Sequence, residues 1–520
     1  MKRLLIFLAL WPLLAVASIQ DDINAKKGGG TVTLPAALTI SAPLVIPQGA
    51  RNFTLKGAPG GTVIRCSTRM EKQAIQVGVL PQLHNNWMIT GANNISVLGS
   101  PRTGDKVLQL AWAPQVPTPG YYILWDDYRI VCAKGPNVSM NHAELVQIAS
   151  VDGATRLARL VSGIGREFVG VVSLAPYEAA TARNITISGI RFEGKPLDGS
   201  AMSEGGLAIG IADGVVVRDF SVVGFRSDAV MTNTSRNVQM SNVQVSGASE
   251  GDAGGGYGIS VYRSRFVTVQ DSVAASCRHG FIGHSGSTDI SFRRCRSANG
   301  FDLHGYDERR IALLDCTGDG GDVGNDAWLG GAQDVLIQRC SFTEAIGLHA
   351  NVRNVRMVDS TLGGVSIFSV EEGTTPTVGI PAGGFATGVR IDRSTITGPI
   401  TTQGARRFGS LSINASTIRG WSTLLDLANE PVSGTYMFSK VRFENGPDTV
   451  IQLRNQAGDF RLGLDGCTFK SDARTMIWVA DTFKGQATIK GCTFPAGVTF
   501  LSDQSGGHAV ASGNAAEVAK

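Results

Sequence analysis

The sequence predicts an all-β fold, a right-handed parallel β-helix of about a dozen stacked strand-turn rungs. Three observations predict it. A short strand motif recurs along the chain, its copies lie 20 to 34 residues apart, and no copy leaves room for a crossover helix. Glycine supplies 65 of 520 residues, well above the usual share of about 7%. Strands that recur in this way without helices stack most naturally as a solenoid.

Each copy of the motif alternates apolar and polar residues over five or six positions and ends in a Gly or Asn turn, as in the segment NITISGIRFEG from Asn184. This period of two is typical of a strand with one buried face. A β-propeller is the alternative architecture, but its blades need about 40 residues each. The sixth residue of each copy is predicted to form one inward column, with members Gly189, Phe220, Val243, Ser272, Cys295, Cys316, Cys340, Ser360, Ser394, Ser416, Val441, Cys467 and Cys492.

The cysteines of this column have two interpretations. In-register strands place them about 4.8 Å apart, so they form either disulfides, which exported proteins permit, or a ladder of small buried side chains. The ladder is favoured, because neighbours in a ladder lie slightly too far apart for ideal disulfide geometry. Cys316→Ser is then expected to destabilise the fold by burying a poorly paired hydroxyl.

The first residues predict export. Residues 1–17 combine two basic residues, an apolar run and an Ala-Val-Ala cleavage site, as a signal peptide does. The run is too short to span a bilayer, so we predict a secreted protein without a membrane span. Residues 18–520 are predicted to form a single β-helix domain.

Two segments depart from the repeat. Residues 19–24 have the pattern of a short amphipathic helix that would cap the first rung. Residues from about 80 to 182 break the period and contain GYYILWDDYRIV and ELVQIASVDGATRLARLV. These read as antiparallel strands. We interpret this segment as an inserted lobe that shields one side of a groove.

The opening IQDDINAKKGGGTVTLPAALTISAPLVIPQG resembles the start of the pectate-lyase-like β-helix proteins. That superfamily includes polysaccharide lyases, glycoside hydrolases, uronate epimerases and phage tailspike depolymerases. The segment NGFDLH, residues 299–304, is similar to the YGFDPH motif of mannuronan C5-epimerases, whose Asp and His belong to the active site. The resemblance assigns those roles to Asp302 and His304, whereas Asn299 replaces the acid-base Tyr of the motif.

The second strand of each central rung carries the candidate site. Aligned segments end at Tyr262, His284, His304 and His349, and alternation turns these side chains outward in one surface column. Asp302 lies beside the column. The residues predicted to be catalytic are His304, Asp302, His284, His279 and Tyr262. Those predicted to bind substrate are Arg278 and His349.

These residue types fit removal of the C5 proton of a uronate, which needs a base, a group that stabilises the enolate and an acid. The leading hypothesis is therefore a lyase that cleaves an acidic polysaccharide by β-elimination. A uronate C5-epimerase, a glycoside hydrolase and a non-catalytic glycan-binding protein are the alternatives. The net charge of +4, without a polybasic run, disfavours nucleic acid. No cofactor is predicted, although the acidic turn at residues 317–326 could hold Ca²⁺.

Overall fold

A computed structural model describes most of the chain. The described residues are 19–80, 94–111, 116–127, 130–131, 139–249, 255–303, 307–320, 325–348, 351–368, 386–403, 407–419, 425–426, 433–444, 449–453, 459–470 and 474–517. The chain divides into two compact units, residues 1–299 and 300–520, and each is a stack of parallel strands. The predicted signal peptide lies outside the described residues, and the single domain stays a prediction.

The first unit begins with a helix at residues 19–25 and continues almost entirely in strands. These strands are β1 (Gly30–Thr33), β2 (Ala37–Ile40), β3 (Leu44–Ile46), β4 (Arg51–Lys56), β5 (Thr62–Cys66), β6 (Ile75–Gly78), β7 (Ile95–Val97), β8 (Val107–Gln109), β9 (Gly120–Asp126), β10 (Ile130–Val131), β11 (Ser139–Met140), β12 (Ala143–Asp152), β13 (Leu157–Leu160), β14 (Val172–Pro176), β15 (Ala182–Glu193), β16 (Leu207–Gly210), β17 (Ala212–Phe225), β18 (Asp228–Asn233), β19 (Arg236–Ala248), β20 (Tyr257–Tyr262), β21 (Arg265–Gln270), β22 (Val273–Ala275), β23 (His279–His284), β24 (Thr288–Arg293) and β25 (Arg296–Ser297).

Parallel pairing arranges the β-helical part of this unit, outside the inserted lobe, into three faces. The first face runs β3, β6, β16, β18, β20 and β23. The second face runs β1, β4, β15, β17, β19, β21 and β24. The third face runs β2, β5, β15, β17, β19, β22 and β25. The long strands β15, β17 and β19 bend from the second face into the third, so the predicted β-helix is confirmed.

The second unit repeats the three faces with strands of its own. They are β26 (Phe301–Leu303), β27 (Arg309–Leu314), β28 (Thr317–Gly318), β29 (Asn325–Leu329), β30 (Gln333–Gln338), β31 (Ser341–Phe342), β32 (Ala345–Leu348), β33 (Arg353–Val358), β34 (Thr361–Leu362), β35 (Gly364–Phe368), β36 (Val389–Asp392), β37 (Thr395–Ile396), β38 (Ile400–Gln403), β39 (Arg407–Asn414), β40 (Thr417–Arg419), β41 (Leu425–Asp426), β42 (Ser433–Ser439), β43 (Arg442–Glu444), β44 (Thr449–Leu453), β45 (Phe460–Asp465), β46 (Thr468–Lys470), β47 (Thr475–Val479), β48 (Gln486–Lys490), β49 (Thr493–Pro495), β50 (Thr499–Asp503), β51 (Ala509–Ser512) and β52 (Ala515–Glu517). Each strand pairs in parallel with the strand three places further along the chain, as β27 does with β30 and β30 with β33.

At the corner between the second and third faces, one residue in each rung adopts the left-handed backbone conformation and changes the direction of the chain. Asp271 and Arg294 adopt it in successive rungs, with φ of 53° and 49°, and Asp and Asn are among the non-glycine residues that tolerate it best. The Arg294 guanidinium forms two hydrogen bonds with the Asp271 carboxylate, at 2.6 and 2.8 Å. Arg393 and Asp359 form the same pair in the second unit. These exposed pairs favour the observed register of the rungs.

The inward column lies just after this corner, as the sequence predicted, with one correction. The anchors from Phe220 to Cys295 in the first unit, and from Cys316 to Cys492 in the second, are buried. Gly189 is wrong as an anchor. It holds the corner position, with φ of 68°, and Ile190 pairs with Phe220 in its place. The motif was aligned one residue too early at this copy. A shift of one residue moves a side chain to the other face of a strand.

Serine and cysteine are interchangeable in this column because they make the same bonds. The Ser360 hydroxyl donates to the Val358 carbonyl at 2.9 Å and accepts the Cys340 backbone N–H at 3.1 Å. The Cys316 Sγ likewise lies 3.4 Å from the carbonyl oxygen of Leu314. A serine at 316 would find that same partner, so the structure removes the reason for the expected loss in Cys316→Ser. No disulfide links the cysteines within the described part of the chain, and all of those thiols are buried.

Cys340 provides a test of this ladder. Its Sγ accepts the Cys316 backbone N–H at 3.4 Å. We expect Cys340→Ser to change the free energy of unfolding by less than about 1 kcal/mol, because a hydroxyl can accept the same bond. Cys340→Ala should cost about 1–3 kcal/mol, since it leaves a buried N–H unsatisfied. Equilibrium urea unfolding measures both, and a serine variant less stable than the alanine variant would contradict the ladder.

The helix at residues 19–25 caps the first face as predicted. Ile19 and Ile23 are buried, and the Gln20 side chain reaches the open edge of β3. Its Oε1 accepts the Val45 N–H, and its Nε2 donates to the Val45 carbonyl, both at 2.8 Å. The amide of Gln20 thus replaces the missing neighbouring strand. An exposed strand edge is a site of aggregation, so this contact protects the end of the solenoid.

The inserted lobe is also confirmed. Strands β7, β14, β9, β12, β13 and β8 form an antiparallel sheet in that order, over an apolar cluster that includes Tyr122, Leu124 and Phe168. The lobe touches the rungs through buried charge. Glu144 of β12 lies 2.7 Å from Arg265, which also binds Asp289 at 2.7 Å. Arg265 follows the end of β20 in the chain, and Asp289 follows the end of β23. The lobe therefore lies beside the ends of these two strands of the first face.

Candidate functional site

Strands β20 and β23 bring two of the predicted catalytic residues together. Tyr262 and His284 occupy paired positions at the ends of these strands, and Ser260 pairs with Ile282. The rings of Tyr262 and His284 lie 5.3 Å apart between centroids, tilted by 52°. This part of the predicted column is confirmed. It follows from the repeat, since parallel strands in register place equivalent residues side by side.

The beginnings of the same strands hold a second group. Tyr257 pairs with His279, and their rings stack at 5.6 Å with an interplanar angle of 28°. Arg278 Nη1 donates to the Tyr257 hydroxyl at 3.3 Å, and its guanidinium lies 5.7 Å from the centre of that ring. His279 is therefore buried in an aromatic stack. Arg278, which is only partly buried, is a cation at this end of the face.

Asp228 is a member of the site that the sequence analysis missed. It begins β18, opposite Tyr257, and its carboxylate accepts hydrogen bonds from Tyr262 Oη at 3.0 Å and Ser227 Oγ at 3.1 Å. Burial raises the pKa of Asp228 above its ordinary value. Burial and the nearby Asp228 also raise the pKa of Tyr262. The first of the aligned second strands was the one that ends at Tyr262, and Asp228 lies one rung earlier, in β18.

The structure corrects the expected exposure of the column. Tyr262 is only 4% exposed, His279 6% and Asp302 5%, whereas His284 is half-buried. The outward direction was inferred from strand alternation, which says nothing about what covers the face. Asp302 belongs to the second unit, where it lies in β26 opposite Trp328. His304 and His349 lie outside the described residues.

The turn after His284 is held by the lobe. His284 Nδ1 lies 2.6 Å from Ser285 Oγ, and the carbonyl of Gly286 accepts Arg166 Nη1 at 2.9 Å. Gly286 has a φ of 75°, and a Cβ there would collide with the Arg166 guanidinium. Glycine is thus required at 286, and Arg166, which the sequence did not single out, positions the segment that orients His284.

No group of three or more potential metal ligands occurs among the described residues. The predicted acidic turn falls partly outside them. Its last residue, Asp326, is buried, and its carboxylate accepts the backbone N–H groups of Gly320 at 2.8 Å and Glu344 at 2.7 Å. These bonds give Asp326 a structural role in closing the turn.

The buried carboxyl of Asp228 predicts a pH effect on stability. Its pKa is raised in the folded protein, so above the ordinary Asp pKa of about 3.9 the unfolded chain releases this proton more readily, and stability falls as pH rises. Asp228→Asn, which still accepts the Tyr262 bond, should lack this component. Thermal unfolding between about pH 4 and pH 7 should show the variant gaining stability relative to the parent as pH rises, and parallel curves would contradict the raised pKa.

Comparison with known proteins agrees with this fold. The family model described as a right handed beta helix region matches residues 167–297, which include both Tyr262 and His284. The tailspike gp61 of Pseudomonas phage phi297 is similar in structure, with a TM-score of 0.51 and 13% identity over 93% of this chain and 74% of that chain. The tailspike gp49 of Pseudomonas phage LKA1 gives 0.49 and 14% over 94% and 75%. Among curated proteins, none matches this chain.

The likeness to gp61 shows the fold alone. It agrees with the parallel sheets and with the superfamily resemblance of the opening segment. In the part of the chain that the structure describes, no helix is long and apolar enough to cross a membrane.

Proposed function

We propose that this protein is a secreted polysaccharide lyase that cleaves a uronate-containing polymer by β-elimination. One observation carries the proposal. The rings of Tyr262 and His284, 5.3 Å apart between centroids and tilted by 52°, place an acid and a base on neighbouring strands of one face, with Arg278 at the other end of the same strand pair. Neighbouring rungs lie about 4.8 Å apart, close enough for two side chains to address one sugar ring.

His284 is the proposed base. When Nδ1–H donates to Ser285 Oγ, 2.6 Å away, Nε2 is the basic nitrogen. It removes the C5 proton of the uronate, and the electron pair of that C–H bond forms the C4–C5 double bond as the C4–O4 bond breaks. Fixed orientation by Ser285 contributes to catalysis because the reacting atoms are already aligned.

Tyr262 is the proposed acid. Its hydroxyl would protonate the departing O4, so the proton lost at C5 to His284 is matched by one delivered to the leaving group. Its pKa is raised by burial and by Asp228, which keeps it protonated at neutral pH. Asp228 holds the phenol through the 3.0 Å bond and is a positioning residue in this mechanism.

Arg278 is the proposed ligand of the carboxylate of a flanking uronate, because it lies just before β23 whereas His284 ends that strand, about 20 Å further along. A guanidinium can pair with a carboxylate through two hydrogen bonds, which would orient the polymer along the face. The contact with the Tyr257 hydroxyl at 3.3 Å restricts the arginine. His279, stacked on the same tyrosine, supports this group. Roles for Asp302, His304 and His349 stay predictions.

The experiment that tests the proposal is incubation of the purified protein with alginate, polygalacturonate and a neutral glucan. A lyase produces the ultraviolet absorbance of an unsaturated uronate from the acidic polymers only. Tyr262→Phe should reduce that rate by at least about 100-fold, whereas Tyr177→Phe, a partly buried tyrosine of the lobe segment, should not. A changed uronate ratio at constant chain length would instead identify an epimerase, and binding without any product a non-catalytic protein.

A glycoside hydrolase is the second candidate, favoured by the raised pKa of Asp228. A carboxyl group whose pKa is raised by burial is the type of general acid that such enzymes use. New reducing ends without ultraviolet absorbance, abolished in Asp228→Asn, would support this candidate and reject the lyase.

A further inference from the structure

The second face of the first unit carries a polar surface that the proposed mechanism does not use. Two columns of outward side chains run along it in register. The first column contains Lys56, Ser188, Arg218, Ser241, Gln270 and Arg293. The second contains Thr54, Thr186, Val216, Gln239, Thr268 and Ser291. We call these twelve residues the basic strip.

The charge of the basic strip is of one sign. It has three cations and no carboxylate, and its remaining members are hydroxyl and amide side chains apart from one valine. Arg218 is exposed and has no ion-pair partner among the described residues, and Arg293 Nε donates only to Ser291 Oγ, at 3.0 Å. The next residue, Arg294, is in contrast neutralised by Asp271. Asp219 lies beside Arg218 at the corner, outside the strip, and its carboxylate accepts a hydrogen bond from the side-chain amide of Asn242 at 2.7 Å.

The strip also has the shape of a binding site. A groove of about 540 Å³ lies over its centre, lined by Arg218, Gln239, Gln270 and Arg293 among others. The cations are spaced along one line, with Lys56 two strands from Arg218 and Arg218 three strands from Arg293. At about 4.8 Å per strand these separations are about 10 and 14 Å. A long, straight, polyanionic ligand would meet all three.

We propose that the basic strip is a non-catalytic binding site for an extended carboxylated polysaccharide. The unpaired guanidinium of Arg218 and that of Arg293 would bind sugar carboxylates, and Gln239, Gln270 and Ser241 would bind hydroxyls. A protein partner fits less well, because interfaces are enriched in aromatic residues that the strip lacks. Single-stranded nucleic acid also fits less well, since it is bound by stacking on aromatic side chains.

The class of polymer in this inference rests on the proposed function, but the binding site lies on a different face of the first unit. The proposed reaction uses residues of β20 and β23 in the first face, whereas the strip lies on the second. A polymer held at both faces gains avidity without new contacts at the reacting sugar. Loss of the strip should therefore weaken binding of long chains and leave the turnover of short oligosaccharides unchanged.

The test is titration of the full chain with polygalacturonate, alginate and hyaluronan at low salt, with neutral dextran for comparison. Arg218→Gln with Arg293→Gln should weaken binding of the carboxylated polymer that the parent binds by at least about tenfold, the effect of about 1.4 kcal/mol. Arg461→Gln, an exposed arginine of β45 outside the strip, is the matched control. It should bind like the parent.

The outcomes separate this inference from the proposed function. His284→Ala, which removes the proposed base, should still bind the polymer through the strip. Equal affinity of parent and double variant, or a parent that binds none of the three carboxylated polymers, would overturn the strip whether or not the protein is a lyase. In a parallel titration, binding of dextran sulfate or single-stranded DNA alone, neither of which has carboxylates, would assign the strip to another class of polyanion and overturn it too.

Discussion

His284→Ala is expected to lower the turnover of an acidic polysaccharide by at least about 100-fold, the scale for loss of a positioned acid-base group. The reason is that His284 is the half-buried imidazole of this face, oriented by Ser285 and packed on Tyr262. Among the described residues of the first unit no other imidazole shares that setting, since His279 is stacked on Tyr257 and His142 is held by Asp126 in the lobe. Initial rates of ultraviolet absorbance measure the effect.

The control for this variant is His508→Ala, an exposed histidine near the end of the chain. It should retain parental turnover, and both variants should unfold at parental temperatures within a few degrees. Binding of the polymer should persist in His284→Ala, so the loss should fall on kcat. Parental turnover by His284→Ala would remove the Tyr262–His284 pair as the site and return attention to Asp302 and its neighbours.

Asp126→Ala is expected to destabilise the lobe by at least about 1–3 kcal/mol, the cost of leaving a buried hydrogen-bond donor unsatisfied. Asp126 has no exposed surface. Its carboxylate accepts the His142 ring at 2.8 Å, the His142 backbone N–H at 3.1 Å and the Val169 N–H at 3.0 Å. Alanine would leave the two buried donors of His142, and the N–H of the exposed Val169, without this acceptor.

Amide hydrogen exchange of residues 143–176 measures this loss, because local opening of the lobe is detected even when the rungs stay folded. Asp152→Ala, at the exposed end of β12, is the matched control and should raise exchange only at Ala154 and Thr155, whose N–H groups its carboxylate accepts. Since Arg166 of the lobe binds the turn after His284, Asp126→Ala should also reduce turnover. Parental exchange rates in Asp126→Ala would show that the buried pair contributes little.

Much of the fold was available from the sequence because its determinants are local. The alternation of apolar and polar residues, the intervals between copies and the break from about 80 to 182 predicted the rungs and the inserted lobe. The pairing of Tyr262 with His284 followed from the same repeat. The error at Gly189 arose where glycine and isoleucine stand side by side and the pattern fits two registers. Strand pairing decides between them, and it buries Ile190.

The site was less predictable because its contacts join residues far apart in sequence. The bond from Tyr262 to Asp228 spans 34 residues, and the contact of Arg166 with Gly286 spans 120. Neither residue carries a motif that marks it. Alternation predicted an exposed Tyr262, yet the side chain is buried and contacts Asp228 and His284 of the neighbouring rungs.

The sequence by itself thus determined the solenoid, its capping helix and the side-by-side placement of two acid-base residues, since a period-two pattern repeated at regular intervals has one efficient way to bury its apolar face. The tertiary structure decided which of those residues are buried, that Asp228 holds Tyr262, and that serine and cysteine are equivalent in the inward column. It decided them because hydrogen-bond partners and burial are properties of neighbouring rungs and of the lobe, which no single segment of sequence contains.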